Sequence, residues 1–477
     1  YEAGYSWLGA ETMDSSTEPL LAFLRGAAKA NGKTRTGAHL ALQWSTFPHD
    51  TEQRYCRYLL AMYVAYMQGV TDFNTEEGWL HLESRYASFG RFSEACEKHR
   101  LQEQRFFRYV STHSRTGDYD TPVAFLHGRY DGWNGFYVRT LWGMPQMPAG
   151  EAERSWQLLK AFYPLSAMCD KGTTVPEYVP EGYSKPQGHY SGTPHGNVDV
   201  IPVENGDYSD YRLLCFCGYN AAQVEDLDRI YRFIQNGGIL LAAWPHFSTT
   251  TALADIQNRC FTFIDHPLTA LLADGKPVFT DAMIGGECIR VCTNLSPAVR
   301  VLRKTDDGLA LLCEAACGNG QIILLNCCAY PGNPVLSPVY AEKILSLCAK
   351  LATQRTSEIR CGEDVEYAVY RQKDGSTHYY LTPVDWYHDF AQLRKAHLRI
   401  GADWYELKLA FGTMYKIVVS GNCAAWSPDE QVEILRVEDS GITAQGVDSA
   451  VIFFASNGKI TTLTADFEQT PMQTLRI

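Results

Sequence analysis

The stretch GVTDFNTEEG, Gly69 to Gly78, places Asp72, Asn74, Glu76 and Glu77 at the end of a run that reads as a β-strand. Two carboxyl groups are what cleavage of an acetal-type sugar bond requires: one protonates the leaving oxygen, and the other attacks the ring or activates water. In a (β/α) barrel such side chains project from the C-terminal ends of the strands. Side chains alternate along a strand, so Glu76 and Glu77 point to opposite faces, and at most one of them joins Asp72 and Asn74 on an inner face. Adjacent acids at a strand end also fit an ordinary solvated turn.

The second carboxylate must come from elsewhere. Glu11, in YSWLGAET, stands at a comparable strand-to-helix junction, where an acid equally suits the start of a helix. Trp44 offers a face for stacking on a sugar ring, or a core ring. Gln43, Asn74 and His81 complete the polar set expected to contact a substrate near the same strand ends.

These residues need elements to hold them. Thr17 to Ala30 repeats Leu20, Leu21, Leu24 and Ala28 on one helical face, with Gly32 as a stop. AHLALQWS, from Ala38 to Ser45, alternates as a strand, with His39, Ala41, Gln43 and Ser45 on one side and Leu40, Leu42 and Trp44 on the other. Thr51 to Gln68 carries Tyr55, Leu59, Met62, Tyr63 and Tyr66 at helical spacing, a stripe that belongs in a core. A strand from Val70 to Thr75 and a long helix from about Ser88 to Ser114 follow. Helix and strand in alternation indicate a barrel or a doubly wound sheet.

From Thr121 a second α/β pattern runs to about residue 355. Tyr211 to Cys217, an amphipathic helix over Ala222 to Asn236, the Gly237–Gly238 stop and Ile239 to Trp244 predict one parallel βαβ crossover. After Ser357 short alternating runs dominate, beginning with a hairpin around Asp374 and Gly375, and no long helical period appears; the texture is that of a sandwich. The chain length of 477 residues suits two or three such units.

Composition narrows the function. A net charge of −12 leaves no basic stripe for nucleic acid, and no apolar run reaches the ~18 residues of a membrane span, so a carbohydrate partner in a cytoplasmic setting is expected. The 12% aromatic content agrees with a sugar-binding cleft. Fifteen cysteines match no zinc or disulfide spacing, and several sit in apolar runs such as LLCFCGY, where they read as small buried hydrophobes of a reducing compartment. Dinucleotide and Walker motifs are absent, so no cofactor is expected. The strand GGILLAAW ends without a Cys or Ser, and His246 with Ser248 in PHFSTT makes no triad.

Three segments carry a resemblance to a known family. HLALQWST, a helix and GVTDFNTEEGWLHLE resemble the last part of the (β/α)8 barrel of retaining glycoside hydrolases of the β-galactosidase type. TPVAFLHGRYDGW, DYRLLCFCGYN and RFIQNGGILLAAWPHF are similar to the trimerisation domain of those enzymes, a class I glutamine amidotransferase-like sheet. The resemblance implies an α/β chain with a barrel portion over residues 1–118, an amidotransferase-like domain over 119–355 and a C-terminal β-sandwich over 356–477. It implies glycoside hydrolysis and a homo-oligomer; the candidate carboxylates in this chain are Glu11 with Glu76 or Glu77, and no metal is expected. The family's nucleophile is a Glu on the strand before the last, where this chain shows Gln43 and Trp44, and only about three βα units precede residue 118. The remaining strands are therefore expected upstream of Tyr1 or in a partner chain. The alternative is a carbohydrate-binding or assembly subunit that does no chemistry.

Overall fold

A computed structural model describes residues 1, 3–12, 17–41, 52–76, 94–131, 155, 158–159, 162–163, 189–190, 198–362, 364–384 and 391–477. Three parallel strands open the chain: β1 (Leu8–Thr12), β2 (Thr36–Leu40) and β3 (Asp72–Thr75), in spatial order β1-β2-β3. Between them run α1 (Thr17–Ala30) and α2 (Glu52–Met67), and α3 (Glu94–Thr112) follows. Helix α1 has Glu18 in its first turn and Lys29 in its last, each on the side the helix dipole favours. It ends where Gly32 takes φ +61°, letting the Lys33 amide fold back onto the Ala28 carbonyl at 2.8 Å.

The aromatic stripe of α2 is core, as its spacing predicts. Tyr58 through Ala65 are all buried, because α2 is covered by α3 on one side and by the C-terminal sheet on the other. A helix apolar on every side needs such cover all round.

The next strands are β4 (Asp118–Tyr119), β5 (Val123–His127), β6 (His189–Tyr190), β7 (Asp199–Pro202), β8 (Leu213–Phe216) and β9 (Ile239–Ala243). Helix α4 (Val224–Gln235) joins β8 to β9, which pair in parallel as neighbours, so the crossover predicted from the sequence forms. Two short helices, α5 (Leu253–Gln257) and α6 (Pro267–Leu272), precede β10 (Phe279–Ile284), β11 (Glu287–Cys292), β12 (Arg300–Lys304), β13 (Ala310–Cys317) and β14 (Gly320–Leu325), and α7 (Ser337–Thr353) closes the block. Seven of these strands form one sheet, β12-β13-β14-β9-β8-β5-β7, with α4 residues in the core on one face and α7 residues in the core on the other.

Among the described residues between Ser357 and Arg476 there are twelve strands and no helix. The hairpin around Asp374 and Gly375 forms, with Val365–Arg371 antiparallel to Thr377–Pro383. Two sheets from this region, which recruit β4 and β6 at their edges, bury one shared core that includes Ile359, Leu398, Tyr367 and Ile417.

The three parts meet at a buried polar node. Asp199 on β7, with no solvent exposure, pairs with Arg25 and with Lys29 (2.8 Å) from α1 and accepts hydrogen bonds from Thr121 (2.9 Å) and Tyr211 (2.6 Å). Arg25 also donates to the Gln68 side chain at 2.8 Å, and Gln68 donates to Glu366 of the C-terminal region at 2.6 Å. Gly26 permits this docking, since a Cβ there would overlap the Val200 carbonyl. Among the described residues no helix is long and apolar enough to cross a membrane.

Candidate functional site

Strand register brings the sequence's candidates together. Glu11 stands opposite His39 in the β1–β2 ladder, and His39 stands opposite Asn74 in the β2–β3 ladder. Ala10, Thr12, Ala38 and Leu40 are buried toward the helices, so alternation turns Glu11, His39 and Asn74 to the other face. The Glu76 amide donates to the Leu40 carbonyl at 3.1 Å, continuing the parallel ladder past β3, and Glu76 falls on the same face two residues beyond Asn74. His39 Nε2 lies 3.1 Å from Glu76 Oε1. One side-chain donor atom each from Glu11, His39 and Glu76 lies within 4.8 Å of the other two. All of this occurs at the C-terminal ends of parallel strands, where the fold leaves side chains open to a ligand.

The floor beneath the cluster is built from two glycines and a ring. Gly9 and Gly37, facing the same way two residues earlier on β1 and β2, leave room for Trp7; a Cβ at Gly37 would lie 2.5 Å from the indole. Arg35 stacks on that indole at 4.8 Å and grips Asp72 in a bidentate pair of 2.8 and 2.5 Å. Hydrogen bonds from Arg35 and then Thr71 hold the Asp72 carboxyl below the usual carboxylate range. Asp72 shares the inner face expected for it, committed to Arg35.

Glu11, Asn74 and Glu76 are therefore gathered on one face. Gln43, Trp44, Glu77 and His81 lie outside the described residues. Sequence reasoning missed His39, Trp7 and Arg35 as site residues. The signal for His39 was present: the alternation that sends Leu40 to the core sends His39 to the Glu11 side. The closing of Trp7 over glycines of two different strands had no local signature.

The seven-stranded sheet offers no nucleophile at the corresponding position. Strand β9 ends at Ala243, and Trp244–Phe247 is a short 3-10 turn. His246 is fully buried and structural: its Nδ1 accepts from the Ala243 amide at 2.9 Å, and its Nε2 donates to the Gly218 carbonyl at 2.9 Å. Burial pushes its pKa down to about 3. The cysteines with described side chains are free thiols, and burial drives those on β8 and just after it, Cys215 and Cys217, far from the thiolate form.

No protein-family profile matches the chain, and no curated protein matches it. Solved structures with a similar course include a β-galactosidase from Bacillus circulans sp. alkalophilus, at 11% identity and a TM-score of 0.45, over 86% of this chain and 63% of that one. The β-galactosidase of the haloarchaeon Halorubrum lacusprofundi gives 14% identity and 0.46, over 80% and 51%. An α-L-fucosidase from Paenibacillus thiaminolyticus gives 11% and 0.44, over 100% and 64%. The chain thus spans less than two thirds of the length of each of these structures.

Proposed function

We propose that this chain carries part of the catalytic face of a glycoside hydrolase, with Glu11 and Glu76 as the two carboxylates. One observation carries the reading: both acids project from the C-terminal ends of the parallel sheet, with a carboxylate oxygen of each within 4.8 Å of the other. A separation of about 5 Å suits retention of anomeric configuration, whereas inversion needs roughly 6.5–9.5 Å to admit a water. In this reading one carboxylate attacks the anomeric carbon as the leaving oxygen takes the proton of the other. Water then hydrolyses the glycosyl ester, activated by the residue that gave its proton. Asn74 and the residues following β2 and β3, including Gln43, Trp44 and His81, would contact the sugar; Glu77 remains the alternative to Glu76.

The three strands among the described residues make less than a barrel. The reading takes further βα units, from this protein or a partner, to pair the outer edges of β1 and β3. A groove of about 980 Å³ beside β3, lined by Phe73, Leu101, Phe106 and Phe107, supports a docking element there. The amidotransferase-like block would join protomers, and the C-terminal sheets would form the closing sandwich. Assaying the wild type, Glu11→Gln, Glu76→Gln and Glu77→Gln on nitrophenyl glycosides, the galactoside first, tests the reading. Unchanged turnover in all three variants would sink it. Native mass spectrometry tests the assembly, and a tightly bound second chain would favour a split enzyme.

A further inference from the structure

We infer that Glu11, His39 and Glu76 bind one divalent cation of the nitrogen- and oxygen-liganded class, with Zn²⁺ as its representative. The donor set is one imidazole and two carboxylates, the chemistry that zinc sites use with three protein ligands and an open fourth position. The donors sit on three neighbouring stretches of one parallel ladder, where Glu11 and His39 are direct register partners and the Glu76 amide is bonded to Leu40. Their spacing therefore follows the strand separation of about 4.8 Å rather than loop geometry.

Ligands of a tetrahedral ion with bonds of about 2.1 Å lie roughly 3.4 Å apart. His39 Nε2 and Glu76 Oε1 are 3.1 Å apart, so two of the three donors already have shell spacing. The third lies within 4.8 Å and belongs to Glu11, which is exposed. Among the described residues on this face, Arg35 is committed to Asp72 one step lower. Asn74, opposite His39, adds an amide oxygen beside the site.

A cation held this way takes up both acids proposed for catalysis. Zn²⁺ is then a reversible inhibitor, a consequence that rests on the two-carboxylate reading; the binding itself does not. Isothermal titration calorimetry of the chelator-treated full chain with ZnCl₂ tests the site. One ion per chain is expected, with affinity at least about tenfold weaker in His39→Ala and in Glu11→Gln. His397→Ala, at an exposed histidine on the C-terminal sheets, is expected to bind as the wild type does. Absence of binding by the wild type, or wild-type affinity in the two site variants, overturns the proposal. Should His39→Ala fail to fold by circular dichroism, Glu11→Gln at its exposed position decides alone. Calorimetric binding without glycosidase activity would remove the catalytic reading and leave the cation site standing.

Discussion

His39 Nε2 lies 3.1 Å from Glu76 Oε1, joining β2 to the end of β3 by a side-chain contact between two strands already paired through their backbones. The contact holds the Glu76 carboxylate over the face that Glu11 shares. If Glu76 reacts with substrate, His39 is a positioning residue. His39→Ala is expected to lower kcat/KM by about 10- to 100-fold, the cost of misplacing a reacting group by roughly an ångström. His39→Gln, which keeps a donor, should recover part of the loss. Equal activity in wild type and His39→Ala would separate the contact from function.

Gly37→Ala should damage the same face from below. Its Cβ would meet Trp7 at 2.5 Å, so the exposed ring must shift, loosening its stack on Arg35. Because Trp7 is exposed and can move, the cost falls at or below the low end of the about 1–3 kcal/mol that overpacking carries in a core. Thermal unfolding of Gly37→Ala and of the Trp7→Ala, Gly37→Ala double variant checks the cause, because removing the indole should relieve much of the penalty. An additive double variant would contradict the assignment.

Asp199 should be the costliest single acid to neutralise. Burial alone would raise its pKa, but Lys29 and Arg25 outweigh burial and hold the carboxyl well below the usual range. Asp199→Asn leaves both cations facing a neutral group, a loss of about 3–5 kcal/mol when one partner of a buried ion pair is removed. A depressed folded pKa means that the stabilisation is present above the unfolded value of about 3.9 and is lost as pH falls through the folded one. Urea unfolding at pH 7 and at pH 3 should show the variant's deficit shrinking at the lower pH.

How much of this was legible in the residues follows from how local each feature is. Helix α1 occupies Thr17–Ala30, the span its apolar spacing and Gly32 predict, because period and stop signal lie in consecutive residues. Strand β3 begins at Asp72 rather than Val70, since Gly69 at φ +103° and the residues after it turn the chain before the ladder starts. The stretch between α6 and β14 shows no clear period in the sequence, yet it holds β10 to β13; their exposed residues and register shifts blur the alternation. Glu11 and Asn74 could be named singly, but their alignment through His39 is a property of strand register, which no single strand encodes. The node of Arg25, Gln68, Asp199 and Glu366 unites residues hundreds of positions apart and had no sequence signal.

His246 gives the acid limb of stability a second cause. Its folded pKa of about 3 lies below the unfolded value of about 6.5, because burial and an occupied Nδ1 oppose a second proton. A histidine kept neutral contributes stability that is present above about pH 6.5 and is lost as pH falls toward 3, on the order of 4 kcal/mol in all. Urea unfolding followed by tryptophan fluorescence should show that His246→Asn is less stable than wild type at pH 7 and has a shallower decline between pH 6.5 and 4. Parallel declines in the two proteins would refute this role.

Catalysis by the Glu11 and Glu76 pair requires that one of these two carboxylates attack the sugar. Incubation with a 2-deoxy-2-fluoro glycoside bearing a good leaving group, followed by proteolysis and peptide mass spectrometry, tests it most directly. The predicted result is one covalent glycosyl adduct on the peptide containing Glu11 or the one containing Glu76, with matching time-dependent loss of activity. A label confined to any other residue, or steady turnover of nitrophenyl glycosides with no adduct at all, would contradict it.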